Sequence, residues 1–125
     1  MSAQITKAEF EVMDILWAES PLAATTVAER LMDATGWSLK TVKTLLSRLV
    51  DKGAVTHEPD GRRYLYRPKV SRNAYERRAT KNLADQLFGG RVAPLVAHLA
   101  ESRGLTDEDL RDLETLLGEL KRDNN

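Results

Sequence analysis

The 125-residue sequence predicts a mainly α-helical chain carrying one short β-hairpin, and three observations predict it. Apolar residues recur at three- and four-residue spacing from Phe10 to Val50, the period of helices with one buried face. After Gly53 the pattern changes to alternation around an Asp60-Gly61 pair, the period and turn chemistry of a hairpin. From Ser71 onward helical spacing returns.

Each element has its own signals. Thr6 followed by Glu9 fits a capping box, and Ile5 with Phe10 fits the accompanying hydrophobic staple. Val12, Met13, Leu16 and Trp17 continue that helix's apolar face until Pro21 stops it. A second helix is expected from Ala24 to Thr35, burying Val27, Ala28 and Leu31, with Gly36 at its end. Ser38 then caps a third helix, Leu39 to Lys52, closed by Gly53. On a helical wheel Leu39, Val42, Leu45, Leu46, Leu49 and Val50 share one side of it. Lys40, Lys43, Thr44, Ser47 and Arg48 share the other, with no acid before Asp51.

Two strand-like runs, "AVTHEP" and "RRYLYRP", flank Asp60-Gly61, read as the two turn residues. Tyr64 and Tyr66 fall on one face, and Arg63, Leu65 and Arg67 on the other. Pro59 and Pro68 suggest a ribbon with free edges. Beyond it, Tyr75, Ala79, Leu83 and Leu87 mark a fourth helix broken at Gly89-Gly90. Val92, Leu95, Val96 and Leu99 mark a fifth. Thr106 and Asp109 form a second box with Leu105 and Leu110 as its staple, opening a sixth helix. That helix carries a narrow seam of Leu110, Leu113, Leu117 and Leu120.

Composition narrows the function classes. Hydrophobic content of 42% and charged content of 30% fit a globular chain. The absence of cysteine removes disulfides, thiolate metal sites and cysteine nucleophiles. No apolar run approaches a membrane span and no export signal is visible at the start, so membrane insertion is not expected and the expected location is cytoplasmic. Net charge is zero, but its distribution is uneven: Gly36 to Arg72 holds nine Lys/Arg against three Asp/Glu. A neutral chain with a basic middle is suited to a localised polyanion-binding surface.

Helix, helix, helix, two-stranded ribbon is the order of a winged helix-turn-helix, here followed by a helical dimerisation region. The expected division is a winged-helix DNA-binding domain over residues 1–70 and a three-helix dimerisation domain over 71–125. The third helix suits a major groove, where base edges are distinguishable. Thr41, Thr44 and Ser47 can meet base edges or phosphates, while Lys40, Lys43 and Arg48 displace counterions or read guanine. Arg62 and Arg63, after the turn, can reach the neighbouring backbone or minor groove. Trp37 reads as a packing aromatic, not a base-stacking one.

The segments "ITKAEFEVMDILW", "GWSLKTVKTLLSRLVDKGAV" and "GRRYLYRP" resemble the BlaI/MecI-type penicillinase-repressor family. The Trp-Ser-x-Lys-Thr-x-Lys-Thr-x-x-x-Arg-Leu run from Trp37 to Leu49 is the most specific part, and the likeness extends through "LVAHLAESRGLTDEDLRDLETLL". The resemblance implies a homodimeric transcriptional repressor on a palindromic double-stranded DNA operator. Lys40, Thr41, Lys43, Thr44 and Arg48 would then lie on the operator-facing helix and Arg62 on the wing. Members controlling β-lactam resistance are released when a membrane sensor-protease triggers cleavage in the dimerisation region. The family's Asn-Phe bond aligns with His98-Leu99 here, so this pair marks the candidate cleavage region without the family's residues. The copper-responsive branch uses a cysteine motif, which this chain lacks.

A two-fold dimer doubles the contacts on a palindrome. The stripe of Leu110, Leu113, Leu117 and Leu120, with Leu83, Leu87, Val96 and Leu99, offers more apolar area than a three-helix tail can hide alone. Two other classes compete. A winged helix serving as a protein-interaction adaptor would show apolar or acidic residues on the outer face of the third helix. An enzyme would need more than His57 near Glu58 and Asp60. No catalytic residue, metal set or cofactor is expected.

Overall fold

The computed structural model describes residues 4–123. Helix α1 spans Lys7–Ala18, with Thr6 as its N-cap. The Thr6 hydroxyl oxygen accepts the Glu9 N–H at 3.2 Å and Glu9 Oε1 accepts the Thr6 N–H at 2.8 Å, so the box read from sequence is formed. Strand β1, Leu22–Ala23, leads directly into α2, Ala24–Thr35. Helix α3, Leu39–Asp51, is capped by the Ser38 hydroxyl oxygen, which accepts the Thr41 N–H at 3.2 Å. At its other end Gly53 has φ of 79°, Ala54 N–H reaches the Leu49 carbonyl and Gly53 N–H the Val50 carbonyl. This is a Schellman closure, and the left-handed residue at its turn favours glycine.

Strands β2, Val55–Asp60, and β3, Arg63–Pro68, form the antiparallel ribbon. Asp60 pairs with Arg63, so the two turn residues are Gly61 and Arg62, one position later than Asp60-Gly61. Gly61 has φ of 65° and Arg62 does not have positive φ. Positive φ at the first turn position alone is the pattern of a type II′ turn, which needs glycine only there. The sheet also has a third strand that alternation could not reveal. β1 pairs with β3 through Leu22 opposite Tyr66 and Ala23 opposite Leu65, giving the order β1-β3-β2. Pro68 is therefore at the end of a central strand, past the two residues that β1 covers; Pro59 lies on the outer strand, as expected.

α1, α2, α3 and the sheet close one core. Val12, Met13, Leu16, Val27, Val42, Leu46 and Leu49 have no solvent exposure, and Trp37, Val50 and Tyr66 pack against its rim. Its spacings of three and four residues along each helix carry the packing that stabilises the unit. Trp17 donates its indole N–H to the Val70 carbonyl at 2.9 Å and lies 5.6 Å from the Tyr75 ring, while Arg72 pairs with Asp14.

The chain divides into two compact units, one through Glu76 and one from Arg77, so the first also takes in the opening turn of α4, Arg72–Phe88. The second unit holds the rest of α4, then α5, Ala93–Arg103, and α6, Asp107–Asp123. The Thr106–Asp109 box is formed. Asp107, Glu108 and Asp109 at the start of α6 and Lys121 and Arg122 at its end oppose the helix dipole favourably. In these three helices Ala84 is the one buried residue. No described helix is long and apolar enough to cross a membrane.

Candidate nucleic-acid interface

The buried stripe of α3 fixes what its opposite face presents. With Val42, Leu45, Leu46 and Leu49 turned into the core, Lys40, Thr41, Lys43, Thr44, Ser47 and Arg48 are all exposed. Two adjacent rows at i, i+4 spacing, Leu39–Lys43–Ser47 and Lys40–Thr44–Arg48, line one shallow surface depression. Leu39 corrects the helical-wheel reading, since it is 37% exposed and borders the depression. It belongs to the first turn of the helix, at the edge of the buried stripe that begins with Val42, and is covered only in part. Thr41 is not among the lining residues. Its hydroxyl oxygen accepts the Ser38 hydroxyl at 3.2 Å, within the helix cap. The Thr44 hydroxyl donates to the Lys40 carbonyl at 3.0 Å, which leaves a methyl group and an acceptor lone pair for whatever lies outside.

Ion pairing separates the cations. Among the described residues Lys40, Lys43, Arg48 and Arg62 have no acidic partner. By contrast Arg63 pairs with Asp60 at 3.1 Å, Arg67 with Glu58 at 2.7 Å and Arg30 with Glu19 at 2.8 Å. The two arginines predicted together at the ribbon are thus unlike. Arg62 is a turn residue with its charge uncompensated, whereas Arg63 is already held across the turn. Exposed pairs of this kind are weak, so Arg63 can be recruited at small cost, but Arg62 needs no such exchange.

The other face of the ribbon carries His57, 4.5 Å from the Tyr64 ring and 5.8 Å from Tyr66. Burial pushes the Tyr66 phenol pKa up, and the neighbouring Tyr64 adds to it, so its hydroxyl stays neutral. Alternation places His57 and Glu58 on opposite faces, with Glu58 and Asp60 engaged by Arg67 and Arg63. An acid–base or ligand set on these three residues is therefore not assembled. Among the described residues no group of three His, Asp or Glu side chains is placed to hold a metal ion.

In the second unit Leu83, Leu87, Leu99, Leu110, Leu117 and Leu120 are exposed, while Val96 and Leu113 are partly covered. Val92 and Leu116, absent from the seam read off the sequence, are exposed as well and widen the apolar surface. Leu116 could have been noticed as the direct neighbour of Leu117. His98 and Leu99 lie inside α5, with His98 stacked 5.5 Å from Phe88 and its carbonyl accepting the Ser102 hydroxyl.

Comparison with known proteins shows the family. The model of the penicillinase repressor family matches residues 5–119. A penicillinase repressor of Bacillus licheniformis is 31% identical over 118 residues, which cover 94% of this chain and 92% of that protein. The DNA-binding domain of the repressor BlaI superposes with a TM-score of 0.54 and 38% identity, over 60% of this chain and 94% of that one. A monomeric form of Bacillus licheniformis BlaI in complex with the blaP half-operator gives 0.52 and 37%, over 60% and 92%. The chain therefore belongs to the penicillinase-repressor family.

Proposed function

We propose that this protein is a homodimeric transcriptional repressor that binds a palindromic operator in double-stranded DNA. In this reading α3 enters the major groove and the wing meets the adjacent backbone. The observation that carries it is the outer face of α3, where three cations without acidic partners among the described residues border a depression with Thr44 and Ser47. Lys40, Lys43 and Arg48 supply charge for phosphates or guanine, Thr41, Thr44 and Ser47 supply short polar contacts, and Arg62 and Arg63 extend the footprint from the wing.

The dimer has separate support. A related repressor in monomeric form is found on half an operator, so a whole operator calls for two such chains. Leu83, Leu87, Val96, Leu99, Leu110, Leu113, Leu117 and Leu120 provide apolar area for a self-complementary contact. For release, His98-Leu99 marks the segment on which an inducing system such as a membrane sensor-protease would act. Since this bond lies inside α5, cutting it requires that helix to unwind first.

The test is an anisotropy titration against duplex DNA from upstream of the protein's own gene, with random duplex as control and salt varied. Much tighter binding to the upstream duplex, saturating at two chains per site with a steep salt slope, is the expected result. Replacing Lys43 or Thr44 by alanine should then cost about 1–3 kcal/mol on that duplex and less on random DNA. Equal, weak binding to every duplex, including one selected from a randomised pool, would favour an adaptor whose basic face meets something other than DNA.

A further inference from the structure

Among the described residues Glu9 is the one buried charged side chain, 1% exposed. Its Oε1 accepts the Thr6 N–H and also the Lys52 ammonium at 2.5 Å, and that ammonium donates in addition to the Gln4 carbonyl at 2.9 Å. Oε2 has no partner among the described residues. A buried carboxylate left half-satisfied is a poor way to gain stability, because an apolar pair of the same volume would avoid the desolvation cost. What an ion pair does supply is direction.

The place it directs is specific. Lys52 is the C-cap of α3, the residue before the Gly53 turn that starts β2. It follows Arg48 by one helical turn and lies next to the inward row of Leu45 and Leu49, at the border between the basic face and the core. Two chain segments therefore meet at one carboxylate oxygen, the start of α1 and the end of the helix with the exposed basic face, and the root of the wing follows directly in the chain.

Building on the repressor reading, we propose that Glu9 and Lys52 are positioning residues for sequence discrimination. They hold the end of α3 and the wing root at the inclination that lets the helix meet base edges while the wing meets the backbone. Neither residue touches DNA.

The experiment compares the full chain with Lys52→Met, Glu9→Met and the double variant. The probes are a duplex that the unmodified protein enriches from a randomised pool and a random duplex. Lys52→Met leaves the Glu9 carboxylate buried without its partner, Glu9→Met removes the ion pair and the acceptor of the Thr6 N–H, and each should melt at lower temperature. The double variant should regain most of that loss. Its ratio of selected to random affinity should nevertheless stay about tenfold below that of the unmodified protein. Its salt slope should be unchanged, because no phosphate contact is removed. A double variant with the original ratio would overturn the proposal and leave the pair a structural contact only. Should the double variant fail to fold, Glu9→Gln, measured below its own melting transition, carries the same comparison, and an undiminished ratio there overturns it equally. If the unmodified protein enriches no sequence, the repressor reading itself fails and this inference with it, an outcome distinct from either variant result.

Discussion

The two units of this chain use leucine in opposite ways. In the first, Leu16, Leu31, Leu45, Leu46 and Leu49 are 5% exposed or less and meet one another across three helices and a sheet. In the second, Leu83, Leu87, Leu99, Leu110, Leu116, Leu117 and Leu120 are all more than 40% exposed, and among the described residues only Ala84 is buried. The helical spacing of apolar residues is similar in both, so amphipathicity alone does not tell a closed core from an open face. The winged-helix unit has enough elements to cover every stripe it makes. Three helices with single stripes do not, and an apolar area of that kind is typical of a surface awaiting a partner.

The largest effect should come from placing the same charge in each unit. Leu46→Asp buries an unpaired carboxylate in a site with no exposure and should cost more than about 4 kcal/mol, seen as loss of the folding transition in urea. If the proposed dimer forms through this seam, Leu113→Asp should instead leave the winged-helix unit folded and shift sedimentation toward monomer, with weaker apparent DNA binding. A variant that stays dimeric would move the seam to another stripe. Next in size is the cap of α1: Thr6→Ala should cost about 1 kcal/mol, read as a lower urea midpoint with unchanged slope.

Acid should act on the first unit through Glu9. Burial pushes its carboxyl up, but the Lys52 ammonium and the Thr6 donors together outweigh burial and hold the pKa below the ordinary value. A folded-state pKa below the unfolded one gives stability that is fully present above the ordinary carboxylate value and is lost as pH falls from there through the lower folded-state value. Glu9→Gln should flatten that part of the stability profile in thermal melts. A profile as steep as the original would assign the acid sensitivity to another group. The smallest stability effect is expected at the wing tip. Arg62→Ala should change folding by no more than about 0.5 kcal/mol and still lower the salt slope of DNA binding by about one unit.

Much of this was legible in the sequence because it depends on neighbours along the chain. The Thr6–Glu9 and Thr106–Asp109 boxes, the Ser38 cap, the Gly53 closure and the Gly36 end of α2 follow from residues acting within about one helical turn of one another. The outward set on α3 followed from the fixed angle between successive residues, and every cation assigned to it is exposed. The turn was misplaced by one residue because Asp-Gly fits two hairpin registers, and the Asp60–Arg63 pairing selects the second.

By itself, then, the sequence determined the order of elements, their caps and the chemistry of the exposed α3 face, since these rest on local spacing and on side-chain types. The tertiary structure alone decided the rest. It brought Leu22 and Ala23 alongside β3, left Leu39 only partly covered, distinguished Arg62 from Arg63 by the reach of Asp60, and set Lys52 against Glu9 across 43 positions of chain. Contacts between residues so far apart are fixed by which faces close over the core, and no local periodicity encodes that choice.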